Sequence, residues 1–145
     1  MTKAAAAAKD PQADSYAKRA KAPPVRSLGA DLAEADAAMR KGDWAKAVIA
    51  YDRVQAQTDG RNPVVLNNLA YAQSMLGQHA KARALADQAL KIAPGNASVL
   101  DTAGWVRWRS GVDRESAKRL LRQAAEKAPR NATIRAHLAE AERAD

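Results

Sequence analysis

Along most of this chain apolar residues recur at the three- and four-residue spacing of an amphipathic helix, and the recurrence is interrupted at regular intervals. The interruptions leave seven expected helices, near Leu28 to Arg40, Trp44 to Gln57, Asn62 to Leu76, His79 to Ile92, Ala97 to Arg109, Arg114 to Lys127 and Ala132 to Arg143. In the third, Leu66, Leu69, Ala70 and Leu76 keep the helical period. Asn62 is placed to cap its backbone N–H groups, Pro63 suits the first helical position, and Gly77 ends it. The fourth carries Ala82, Leu85, Ala86, Ala89 and Leu90 on one face until Pro94 forbids continuation.

The interruptions are themselves periodic. Lys41-Gly42-Asp43-Trp44-Ala45-Lys46-Ala47 aligns with Leu76-Gly77-Gln78-His79-Ala80-Lys81-Ala82 at a spacing of 35. Ala47, Ala82 and Ala117 keep that spacing, as do Val54, Ala89 and Ala124, and Pro94 and Pro129 close two units within matching phrases. Gly42, Gly77 and Gly111 fall 35 and 34 apart, so the third unit holds one extra residue between Gly111 and Ala117, in a turn. The expected division is a leader, 1–27, and a domain, 28–145, made of units at about 28–61, 62–96 and 97–131 with a capping helix over 132–145.

Composition agrees with close helix packing. The chain has 145 residues, enough for one domain, and its 47% hydrophobic content includes no Phe and only 4% aromatics. Alanine makes up about a quarter of the residues, well above average usage. Alanine favours helices and fills a sheet core poorly, so the expected class is all-α. At Ala35, Ala70 and Gly104 one helix must approach its partner closely, and at Ala47, Ala82 and Ala117 the partner packs back. Each unit leaves an apolar side open, so the array needs polar ends. In the last helix Ile134, Leu138 and Ala141 are expected to face inward, with Arg135, His137, Glu140, Glu142 and Arg143 in solvent. The first end is expected to be the weaker cap, because Leu28, Leu32 and Met39 have no helix before them.

A helix–turn–helix unit of this length, with a small residue mid-way along its first helix, a turn glycine, an aromatic at Trp44, two alanines seven apart and a closing proline, resembles the tetratricopeptide repeat, or TPR. The phrases Leu66-Asn67-Asn68-Leu69-Ala70-Tyr71-Ala72 and Leu100-Asp101-Thr102-Ala103-Gly104-Trp105 are similar to those in consecutive repeats of bacterial TPR proteins. The resemblance implies a right-handed helical solenoid that binds a protein or peptide in a concave groove lined by the first helix of each pair. On this chain those positions are Leu32, Asp36, Met39 and Arg40, then Val64, Asn67, Tyr71, Ser74 and Met75, then Ser98, Asp101, Trp105, Trp108 and Arg109. The candidate partner-binding residues are Asn67, Tyr71, Asp101, Trp105, Trp108 and Arg109, with the rings supplying affinity and the polar groups orientation. Core packing is an equal reading of Tyr71 and Trp105, and a cation–π contact between Arg109 and Trp105 is another expectation. The resemblance also implies a test for chaperone-tail binding, which uses a clamp of Lys, Asn and Arg. Here Leu32, Asp36, Ser98 and Thr102 stand where basic or amide residues are needed, which disfavours it.

Charge adds an alternative. Of the net +8, half lies in the leader, and a further group of cations, Arg107, Arg109, Arg114, Lys118, Arg119, Arg122, Lys127 and Arg130, lies in the third unit. The leader reads as a flexible basic tail and the third-unit charge as a solvated stripe containing Lys118 and Arg122. Salt-sensitive association with nucleic acid through these groups, or self-association by stacking of end repeats, is therefore weighed beside peptide binding. No Cys is present, His79 and His137 are isolated, and no phosphate loop or nucleophile–base arrangement is visible, so neither catalysis, metal binding nor a cofactor is expected. The absence of a long apolar run or signal-like segment makes a soluble, cytoplasmic protein the expectation.

Overall fold

The computed structural model describes residues 26–143. All seven expected stretches are helical: α1 (Leu28–Lys41), α2 (Trp44–Gln57), α3 (Pro63–Met75), α4 (His79–Ile92), α5 (Ala97–Ser110), α6 (Arg114–Lys127) and α7 (Ala132–Arg143). The described residues contain no strand. The most extensive contacts join α1 with α2, α3 with α4, and α5 with α6. Each pair packs on the next and α7 closes against α6 and α5. The result is an all-α helical-repeat solenoid.

Local chemistry explains the boundaries. Asn62 caps α3, its Oδ1 accepting from the backbone N–H groups of Val64 (2.9 Å) and Val65 (3.4 Å), and Pro63 follows at a position that needs no N–H. Asn96 and Asn131 repeat the device at α5 and α7, accepting from Val99 and Ile134 at 3.1 Å each. At the first turn Gly42 takes a left-handed conformation (φ 72°), and the Asp43 N–H reaches back to the Ala38 carbonyl at 2.9 Å. The extra residue of the third unit is absorbed by Asp113. Its backbone is left-handed (φ 61°) and its side chain accepts from the Ser116 N–H at 3.4 Å to cap α6.

Small residues set the helix spacing. Ala35, Ala47, Ala70, Ala82 and Ala117 have no solvent exposure, and Gly104 is buried. A Cβ at Gly104 would stand 2.8 Å from Leu121 Cγ and 2.9 Å from the Ala117 carbonyl oxygen. Only glycine permits that approach without displacing backbone. Helix α5 is buried continuously from Val99 to Trp108, because α3, α4, α6 and α7 surround it.

The two ends differ from expectation. Arg26 and Ser27, expected in the leader, join the array: Ser27 Oγ accepts from the Ala30 N–H at 3.1 Å, and Arg26 pairs with Asp31 and Glu34. Arg53 approaches the same two carboxylates, and Gln57 Nε2 donates to Asp31 at 2.6 Å. This polar cluster anchors the first end. The rest of the expected leader and its proposed role lie outside the described residues. At the other end Ile134 and Ala141 are buried and Leu138 half-buried, as their spacing implied. His137 is a correction: expected in solvent, it is buried, because it shares the inward face with Ile134 and Ala141 at positions i+3 and i+7.

Candidate functional site

A groove runs across the first helices of the last two pairs and is closed on one side by α7. At its centre is a cavity of about 240 Å³ lined by Met39, the α3 residues Asn67, Asn68 and Tyr71, the α5 residues Ser98, Asp101 and Thr102, and Asn131, Thr133, Ile134 and His137. Helical periodicity puts Asn67 and Tyr71 one turn apart on one face of α3, and the 34-residue offset sets Asp101 and Trp105 at the corresponding places on α5. Asn67 and Asn68 also line an adjoining cavity with Val64, Asn96 and Ser98.

The rings form a row rather than an open platform. Tyr71 packs edge-on against Trp44, with centroids 5.5 Å apart, and on its other side faces His137 at 6.2 Å. His137 in turn stacks on Trp105 at 4.1 Å with 12° between the planes. The His137 Nδ1 lies 2.9 and 3.0 Å from the two Asp101 carboxylate oxygens, so the ring hydrogen on Nδ1 is donated to Asp101. Trp105 is therefore only 7% exposed, and its Nε1 is buried without a hydrogen-bond partner.

The six candidate residues thus separate. Asn67, Tyr71 and Asp101 converge on the cavity. Asn67 is 9% exposed and its Oδ1 lacks a partner, whereas Tyr71 is half-buried. Burial pushes the Tyr71 phenol pKa up, Asp101 adds to that, and Arg109 opposes it. Trp105 stands behind His137, and Trp108 is buried on the far part of α5. The cation over Trp108 is Arg114, 4.5 Å from the ring centroid, and Arg109 is exposed. Of the other projected positions, Met39 and Ser98 line the cavity and Ser74 is fully buried. The groove residues missed in sequence are Asn131, Thr133, Ile134 and His137. Their signal was the spacing of Ile134, His137 and Ala141, which marks one inward face.

Asn68 is tied to the framework. Its Nδ2 donates to Tyr51 Oη at 3.0 Å, and Tyr51 donates to Asp36 Oδ1 at 2.7 Å. Burial, with Asp36 adding to it, raises the Tyr51 pKa well above the ordinary phenol value.

The third-unit basic group is also redistributed. Arg107 and Lys118, read in the sequence as part of a solvated basic group, are buried. Arg107 Nη1 donates to the Ala103 carbonyl at 2.8 Å and Nη2 to Asp87 at 2.6 Å. Arg122 Nε contacts Glu142 at 3.2 Å, and Arg119 donates to Ser116. These pairings disperse the expected stripe. Among the described residues no helix is long and apolar enough to cross a membrane.

Residues 63–96, which span α3 and α4, match the family model of the tetratricopeptide repeat. The fold is similar to that of the Sgt2 TPR domain from Aspergillus fumigatus, with a TM-score of 0.70 and 25% identity over 83% of this chain and 80% of that one. It is also similar to part of the Thermobaculum terrenum O-GlcNAc transferase K341M mutant, with a TM-score of 0.71 and 28% identity over 79% of this chain and 22% of the other. The second TPR domain of human RPAP3, solved in complex with the HSP70 peptide SGPTIEEVD, superposes with a TM-score of 0.64 at 19% identity, over 77% of this chain and 92% of that domain. No curated protein sequence matches the chain.

Proposed function

We propose, from the premise that this chain is a tetratricopeptide-repeat solenoid, that it is a non-catalytic scaffold holding a protein segment in the groove around Tyr71. The observation that carries this reading is the cavity beside Tyr71, where a half-buried ring meets the unpartnered Asn67 Oδ1. A buried carbonyl without a donor leaves a hydrogen-bonding deficit that a peptide N–H would remedy. Tyr71 supplies apolar area beside it, and the exposed Arg109 offers a charge farther along α5.

The peptide differs in chemistry from an acidic chaperone tail. That recognition rests on paired cations, whereas Ser98 and Thr102 occupy the relevant places on α5 and Asp101 is already engaged by His137. Trp105 and Trp108 support the groove from within rather than touching the partner. The surviving contact set is Asn67, Tyr71 and Arg109, with Asp101 acting through His137.

The test is affinity capture from a random peptide library by the full chain, followed by titration of selected peptides against the parent and Tyr71→Ala. The expected loss is about tenfold or more in affinity, the scale of a truncated aromatic anchor. Equal affinity in a folded Tyr71→Ala variant would remove the groove from the binding site.

A further inference from the structure

The geometry points to a second interaction surface, independent of what the groove binds: the outer face of α7, on which we propose that a second copy of this chain docks its own α7 in antiparallel orientation. The solenoid supplies the first reason. Ala35, Ala70 and Gly104 are the positions at which the first helix of each pair receives its partner, and all three are buried. The next residue in that series, 35 beyond Gly104, is Ala139, and it is exposed. Around it Ala132, Arg135, Ala136, Leu138 and Glu142 line a shallow cleft of about 510 Å³. Helix α7 therefore presents a close-approach face with no helix against it among the described residues.

Charge selects the occupant. Arg135 and Glu142 lie two turns apart on one stripe of α7, with Leu138 and Ala139 midway between them. An antiparallel copy related by a two-fold axis through that midpoint sets Arg135 of each copy opposite Glu142 of the other. Such a face is self-complementary, which an isologous contact requires. Each charge also sits at the unfavourable end of its own helix, Arg135 near the N-terminus and Glu142 near the C-terminus. Antiparallel pairing brings each beside the favourable end of the partner helix. Arg122, 3.2 Å from Glu142, holds that carboxylate at the edge of the cleft. Ala136 and Ala139 let the two backbones approach as alanines do inside the solenoid.

Interface size sets the strength. A 12-residue helix is about 18 Å long and covers far less than the roughly 800 Å² per partner of a standard interface, which places the contact in the weak, transient class. The experiment is sedimentation equilibrium of the full chain at low salt up to about 1 mM, since a weak dimer is populated only at high protomer concentration. It compares the parent, Arg135→Glu, Glu142→Arg, the double exchange, and an equimolar mixture of the two single variants. All these sites are exposed, and circular dichroism checks that each variant is folded.

Each single exchange places like charges at both ends of the contact and should weaken dimerisation about tenfold or more. The double exchange restores both opposite-charge pairs and should return to within about threefold of the parent. The mixture should form heterodimers in which both pairs are again opposite in sign. A parent that stays monomeric to 1 mM overturns the proposal, as do single variants that dimerise like the parent or a double exchange no tighter than the singles.

Discussion

At Gly104 and Tyr51 single atoms decide the outcome. Helix propensity alone would favour alanine at position 104 by about 1 kcal/mol. The added methyl would instead meet the Ala117 carbonyl and Leu121, and such overpacking costs about 1–3 kcal/mol. Gly104→Ala should therefore lower the thermal midpoint, and a rise would show that α5 and α6 can separate freely. Tyr51 carries a pH dependence. Its phenol pKa is higher folded than unfolded, so above about pH 10 the unfolded chain loses the proton first and binds fewer protons than the native state. The stability held through Tyr51 is complete below that pH and is lost as pH rises further. Tyr51→Phe should cost about 1 kcal/mol at neutral pH, through the lost links to Asp36 and Asn68, and should flatten the alkaline decline in urea-melt stability. A variant with the parent's alkaline slope would assign that slope to other groups, Tyr71 among them.

Helix α7 shows how one element serves several purposes. Its inward face supplies Ile134 and Ala141 to the core and His137 to the groove, while its outer face is exposed around Ala136 and Ala139. Removing the His137 ring uncovers Trp105 and leaves the buried Asp101 carboxylate without its donor. His137→Ala should destabilise the chain by about 1.5–3 kcal/mol, the range for a hydrogen bond to a charged group. Tryptophan emission should move to longer wavelength. Pairing it with Asp101→Asn gives the control, since two residues in contact should lose less together than the sum of their separate losses. Strict additivity would mean that the two side chains do not act as a pair. The sequence already held the spacing that places His137 inward, but its polar character weighed against that face. Stacking on Trp105 and pairing with Asp101 outweigh exposure, and neither partner is near His137 along the chain.

Across the whole molecule two surfaces are separated by the thickness of α7. The groove variants and the outer-face exchanges should consequently act independently: Tyr71→Ala should leave sedimentation unchanged, and Arg135→Glu should leave peptide capture unchanged at concentrations below dimerisation. A crossed effect would show that α7 shifts when either side is occupied. The repeat architecture also redistributes charge. Stacking carries Arg107 of α5 onto Asp87 of α4 and buries Lys118 of α6, so residues that read as one basic group end in different environments.

Periodicity determined the helices, their pairing and the sites of close approach, because a 35-residue recurrence of small residues and breakers has few packed solutions. Ala35, Ala70 and Gly104 could be assigned before any coordinates, since helix contact constrains side-chain volume at fixed positions. The state of the candidate groove could not. Whether Trp105 faces solvent depends on where the last helix lies across α5, and that contact joins residues more than thirty positions apart. Only the tertiary arrangement covered Trp105 with His137, left Asn67 Oδ1 without a donor beside Tyr71, and turned Ala139 toward solvent. The physical reason is that volume and periodicity are written locally, whereas burial and hydrogen-bond satisfaction are properties of which helices come together.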